Sequence, residues 1–159
     1  MCYDVSKGLK YLHRQKFIHS DVAARNCLVT GGGTVKIYDF WMTRKGEEYQ
    51  LQQDQKMQLQ IKWTAPETLK SGKLTLLSDV WGFGILMWEI FSSGKCPYPQ
   101  FTDVETKEKV SKGYRMEFPE NTPKYCCNLM RNCWEVNSAR RHHFKDIVKK
   151  FETLIKTQK

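Results

Sequence analysis

At 159 residues, with 40% hydrophobic and 13% aromatic side chains, the chain is long enough for one domain and apolar enough to bury a core. That composition excludes a disordered protein, which would be poorer in aromatic and branched apolar residues. The net charge of +9 favours anionic partners, but the charge is scattered and no block of like sign forms a nucleic-acid arm.

Val5, Leu9 and Leu12 give residues 1–14 a helical stripe that starts at full strength with no capping residue ahead of it, as if the helix were entered partway along. FIH, CLV and TVKIY are short strand-like runs, and Gly31, Gly32 and Gly33 join the last two as a hairpin turn. A phosphate cradle would need those glycines to lead into a helix, and the context is instead a tight turn. Residues 43–60 are polar, rich in glutamine and without period, which predicts a long mobile loop. Pro66 opens a short helix to Leu69. SDVWGFGILMWEIFSSG is apolar nearly all round and predicts a helix in the middle of the core, capped by Ser78 or Asp79 and ended by Gly94. Exposed helices follow over Thr102 to Lys112 and over Lys124 to Glu135. Phe144, Ile147, Val148, Phe151, Leu154 and Ile155 make a last amphipathic helix. Its outer face carries Lys145, Lys149 and Lys156, a stripe that reads as solvent-facing rather than as a nucleic-acid site. Apart from the hairpin strands the domain is expected to be helical.

The six cysteines are Cys2, Cys27, Cys96, Cys126, Cys127 and Cys133. The N-terminus lacks the apolar core and cleavage site of a signal peptide, and WGFGILMW is too short to span a bilayer. Free thiols in a reducing, cytoplasmic setting are therefore expected. Cys126, Cys127, Cys133, His142 and His143 could be imagined around zinc, but their spacing fits no paired-ligand pattern.

The chemistry concentrates in HSDVAARN at residues 19–26, followed by YDFW, KWTAPE and SDVWGFG, with an arginine near the end. Phosphoryl transfer needs a carboxylate to accept the proton of the attacking hydroxyl, and oxygen donors to hold magnesium on nucleotide phosphates. One aspartate and one asparagine five residues apart on a short loop can supply both.

In this order and at these spacings the motifs resemble the C-terminal lobe of a eukaryotic protein kinase, whose catalytic loop reads H-R-D-L-x-x-x-N. The AAR between Asp21 and Asn26 is the tyrosine-kinase form. IKWTAPE, SDVWGFGILMWEIFSSGKCPYP and GYRM point the same way, toward the cytoplasmic Fes/Fer non-receptor group. The resemblance implies a mainly α lower lobe over residues 1–159, a helical bundle with a short β-hairpin carrying the catalytic and metal loops, and an upper lobe missing from the sequence. It implies ATP and Mg as cofactors and tyrosine-bearing proteins as substrates. By the same resemblance, Asp21 is the catalytic base, Arg25 helps place it, and Asn26 and Asp39 bind magnesium. Leu28 would lie under the adenine, and His19 and Phe40 would stack in the apolar column between lobes. Asp79 would accept hydrogen bonds from the catalytic-loop backbone, Glu67 and Arg141 would form a buried ion pair, and Tyr49 would be the activation-loop tyrosine.

Several positions depart from the family pattern. Ser20 stands where the family has the arginine that pairs with activation-loop phosphotyrosine, and serine cannot form that pair. Trp41 replaces a glycine, and tryptophan reaches glycine's backbone angles only with strain, which would bias the metal loop. Gln60 replaces a proline that packs on the substrate tyrosine, and Ser138 and His142 replace two prolines near Arg141. Two readings follow: a tyrosine kinase catalytic lobe that is inactive on its own, and a pseudokinase lobe that acts as a scaffold for binding partners. Apolar surface left open at the lobe boundary is expected to limit solubility.

Overall fold

The computed structural model describes residues 1–157. Helix α1, Cys2–Arg14, buries Val5 and Leu9 as its stripe requires. After it the chain turns through Lys16, at φ 57°, into strand β1, Phe17–Ile18. Strands β2, Cys27–Val29, and β3, Val35–Ile37, form the hairpin that the glycine triplet predicts. Cys27 faces Ile37, and the turn closes with the Gly33 N–H donating to the Thr30 carbonyl at 2.8 Å.

The segment expected to be a mobile loop is structured. Strand β4, Arg44–Lys45, pairs antiparallel with β1. Strand β5, Glu48–Gln50, pairs with β6, Lys73–Thr75, and a single-turn helix α2 covers Gln53–Lys56. The reason is tertiary: Tyr49 and Leu51 pack with Ile18 and Leu74 in a small second core. These short pairings add to the hairpin without changing the mainly α character that the sequence predicts.

Helix α3, Pro66–Ser71, opens on its proline and ends at Gly72, which takes the left-handed angle φ 74°. Helix α4, Leu76–Phe91, is the axis of the lobe, and Val80, Trp81, Phe83, Ile85, Leu86 and Met87 are all buried. Its cap is Thr75 rather than Ser78 or Asp79. The Thr75 hydroxyl accepts from the Ser78 N–H, and the Ser78 hydroxyl accepts from the Thr75 N–H. Ser78 is thus the third helical residue of a capping box, and the leucines before it already lie inside the helix. The helix ends at Ser92, and Gly94 follows outside it, its N–H donating to the Glu89 carbonyl at 2.8 Å.

Helices α5, Asp103–Ser111, α6, Lys124–Cys133, and α7, Phe144–Thr157, complete the bundle. Helix α6 lies on α4, and α7 lies on α1. Gly84 makes the first contact possible. A β-carbon there would meet the Trp134 Nε1 at 2.6 Å and the Cys133 Cβ at 2.7 Å, so no larger residue fits without displacing α6. Cys2 and Cys133 are core residues, and burial pushes each thiol up to about 12. Leu28, Val29, Phe40 and Trp41 are exposed, which leaves apolar surface along the hairpin and the loop after β3. Among the described residues no helix is long and apolar enough to cross a membrane.

Candidate active site

Residues 19–26 run from the end of β1 to the start of β2, closing in a short 3-10 turn over Ala24–Asn26. An irregular loop of this kind needs acceptors for its backbone N–H groups. Asp79, in the first turn of α4, supplies them. One carboxylate oxygen accepts the His19 N–H at 2.7 Å and the other accepts the Ser20 N–H at 2.8 Å. The His13 ring reaches the first of these oxygens at 3.0 Å. Ser20 is held at φ 71°, a left-handed angle that costs a non-glycine residue about 1–2 kcal/mol.

With the loop so anchored, Asp21, Arg25 and Asn26 come together. The Asn26 amide donates to the Asp21 carboxylate and to its carbonyl, both at 2.8 Å. Arg25 forms an ion pair with the other carboxylate oxygen. Asp21 and Asn26 are buried, while the Arg25 side chain is partly open to solvent. Because the Asn26 amide nitrogen is spent on Asp21, its oxygen is turned away and free to coordinate.

Asp39 follows β3, at φ 66°. Three contacts stitch its segment to the loop of residues 19–26. The Tyr38 N–H donates to the Asn26 carbonyl at 2.9 Å, the His19 ring lies 3.3 Å from the Tyr38 carbonyl, and the His19 and Phe40 rings meet edge-on at 5.5 Å. The structure therefore brings Asp39 next to the loop that carries Asn26. Leu28, one strand residue further on, presents an exposed apolar side chain.

Strain at Trp41 is not found. Trp41 is absent from the positive-φ residues and sits in a turn closed by the Thr43 N–H donating to the Phe40 carbonyl at 3.0 Å. Such a turn accepts most residues. The left-handed angle belongs to Asp39, and the Trp41 ring points outward. Ser20 does leave a deficit: its hydroxyl and that of Thr43 are buried without a partner. Tyr49 is half-buried in β5 opposite Leu74, with the Arg44 guanidinium 5.3 Å from its ring. Gln60 is exposed on the approach to the site.

Two residues matter that the motif reading passed over. Glu89 interrupts the apolar run of α4. Its carboxylate accepts the Ala24 N–H at 2.9 Å and the Trp63 indole N–H at 3.0 Å. The Arg25 guanidinium rests on the Trp63 ring at 4.4 Å. Glu89 thus fixes both the loop and the platform under Arg25. The available signal was the acid itself, since a carboxylate in a buried helix must be bonded.

Burial raises the Glu89 carboxyl above its ordinary value of 4.5, against the opposing hydrogen bonds from Trp63 and Ala24. The folded state then holds this proton more tightly than the unfolded chain does. Its contribution to stability is present below the unfolded value and is lost as pH rises through the folded value. Glu89→Gln should flatten the fall in stability just above pH 4.5, read from urea midpoints over a pH series. An unchanged slope would contradict this account of Glu89.

A family profile described as protein tyrosine and serine/threonine kinase matches residues 1–151. Tyrosine-protein kinase Fer of Mus musculus is 45% identical over 153 residues, which cover 96% of this chain and 18% of that relative. Megakaryocyte-associated tyrosine-protein kinase of Mus musculus is 46% identical over 146 residues, covering 92% of this chain and 28% of that relative. The transforming protein Fps of avian sarcoma virus is 44% identical over 145 residues, with 91% and 27% covered. The chain therefore spans less than a third of the length of each of these relatives. On the match over residues 1–151, and on the likeness to these kinases, the chain belongs to the protein tyrosine kinase family.

Proposed function

We propose that residues 1–159 are the C-terminal lobe of a tyrosine kinase catalytic domain, whose reaction is ATP-dependent phosphorylation of tyrosine in protein substrates. The observation that carries this is the buried Asp21–Asn26 pair, bonded at 2.8 Å and stitched to the Asp39 segment. Asp21 accepts the proton of the tyrosine hydroxyl; its carboxylate keeps lone pairs beyond those taken by Arg25 and Asn26. Arg25, stacked on Trp63, holds that carboxylate in place.

The donor set fits magnesium. The Asn26 amide oxygen and the Asp39 carboxylate have no hydrogen-bond partner among the described residues, and magnesium is held by one or two such protein oxygens together with substrate phosphates. When bound, the ion neutralises charge on the transferring phosphate. Leu28 offers an apolar surface to the adenine. With this reading goes the cytoplasmic setting of the Fes/Fer group. ATP binding measured by calorimetry with and without magnesium tests the assignment. Magnesium should strengthen binding, and Asp39→Asn should remove that gain. An equal gain in the variant would count against Asp39 as a ligand.

A second reading, a catalytically inactive lobe that serves as a binding scaffold, is favoured by Trp41, whose ring is 55% exposed beside the metal loop. On that reading Asp21→Asn leaves the cellular role intact, and a null phenotype from this one change excludes it.

A further inference from the structure

A cavity of about 180 Å³ lies where the end of α1 meets the starts of α4 and α7, apart from the catalytic and metal loops. Lys10, His13 and Arg14 line it from α1, Leu76 from α4, His143 from the residue just before α7, and Phe144 and Lys145 from α7 itself. Three of these are cations and none is an acid. Among the described residues Lys10, Arg14, Lys145 and the His143 ring make no hydrogen bond or ion pair, whereas His13 is tied to Asp79. Two acids in the neighbourhood are already paired: Asp79 with His13, and Glu47, whose carbonyl accepts the Leu76 N–H, with Lys16.

Lys10 and Arg14 are one helical turn apart, where like charges repel, and Lys145 brings a third cation to the same concavity. Helix α7 also opens here. Its first backbone bonds run from the Asp146 and Ile147 N–H groups to the His143 carbonyl, so the Phe144 and Lys145 N–H groups have no helical acceptor. Solvated surface lysines need no such convergence from separate helices. An anion with several oxygens would relieve the repulsion and take up the free donors, with Arg14 engaging two oxygens at once. Leu76 and Phe144 add an apolar wall for the group that carries the anion.

We propose that this cavity binds a phosphate monoester through Lys10, Arg14 and Lys145. The test is a titration of the full chain with phenyl phosphate, followed through the His143 ring proton signals by NMR. A saturable shift is expected. Lys10→Ala combined with Lys145→Ala should weaken binding about tenfold or more, and Arg14→Ala should do likewise, since each removes a charge-assisted bond. Lys156→Ala, on the same helix outside the cavity, should leave the affinity unchanged, and circular dichroism should show each variant folded. No saturable shift, or an unchanged affinity in the double variant, would overturn the proposal. So would a response to phosphatidylcholine vesicles carrying phosphatidylinositol phosphate with none to phenyl phosphate, because the surface would then be reading a membrane rather than a soluble ester.

Discussion

Glu67→Gln is expected to cost about 3 kcal/mol of folding stability, the low end of what breaking a buried ion pair costs. The Arg141 side chain is fully buried, and its guanidinium meets the Glu67 carboxylate with two parallel bonds of 2.6 and 2.8 Å. Glutamine leaves one oxygen to accept and no charge to compensate. Two carbonyls, of Leu77 and Glu135, still accept from Arg141 at 3.0 Å, and Glu67 keeps some exposure, which is why the low end applies. The pair ties α3 to the segment before α7, across the face of Trp81, whose ring lies 5.1 Å from the guanidinium. Urea denaturation measures the loss. Replacing both residues by methionine should recover much of it, because no charge is then stranded. A double variant as unstable as the single one would show that shape, not charge, is what the pair supplies.

Asp79→Ala is expected to release the loop of residues 19–26. Removing the carboxylate leaves the His19 and Ser20 N–H groups without acceptors, each at about 1–3 kcal/mol if they stay buried. The loop has a cheaper way out. Ser20 can leave its left-handed angle, and Asp21 moves with it. The expected result is a stability loss of about 3 kcal/mol together with fast hydrogen exchange at residues 19 and 20. Asp79→Asn, which keeps one acceptor, should lie between. Unchanged exchange at those amides would mean that the loop is held by something other than Asp79.

The α1, α4 and α7 helices were legible because their apolar residues repeat at the helical period or fill it. Strands β4, β5 and β6 were not, since they are only two or three residues long. Tyr49 finds Leu74 only after the chain has folded back. Propensity in so short a strand yields to its partner. The Thr75 cap of α4 is hard to see in the sequence, because two leucines separate it from the polar Ser78–Asp79 pair. At the site, spacing alone places Asp21 and Asn26 on one loop, and in the structure a hydrogen bond joins them. The anchor role of Asp79 and the Glu67–Arg141 pair came from family resemblance, since no spacing rule links residues 60 or 74 apart. Trp41 shows the opposite limit. A tryptophan in a glycine's place need not inherit the glycine's angle, and here the turn at Phe40–Thr43 takes it without strain.

We propose that Asp21, with Asn26 and Asp39, performs phosphoryl transfer in the protein that carries this sequence. It is tested most directly by following labelled phosphate from ATP into a tyrosine peptide, using the protein that carries this sequence in its native length. Transfer should occur and should fall by about 10² to 10⁴ in Asp21→Asn, the range expected for loss of a general base. Absence of transfer by the parent protein, or transfer that persists undiminished in Asp21→Asn, would rule this role out.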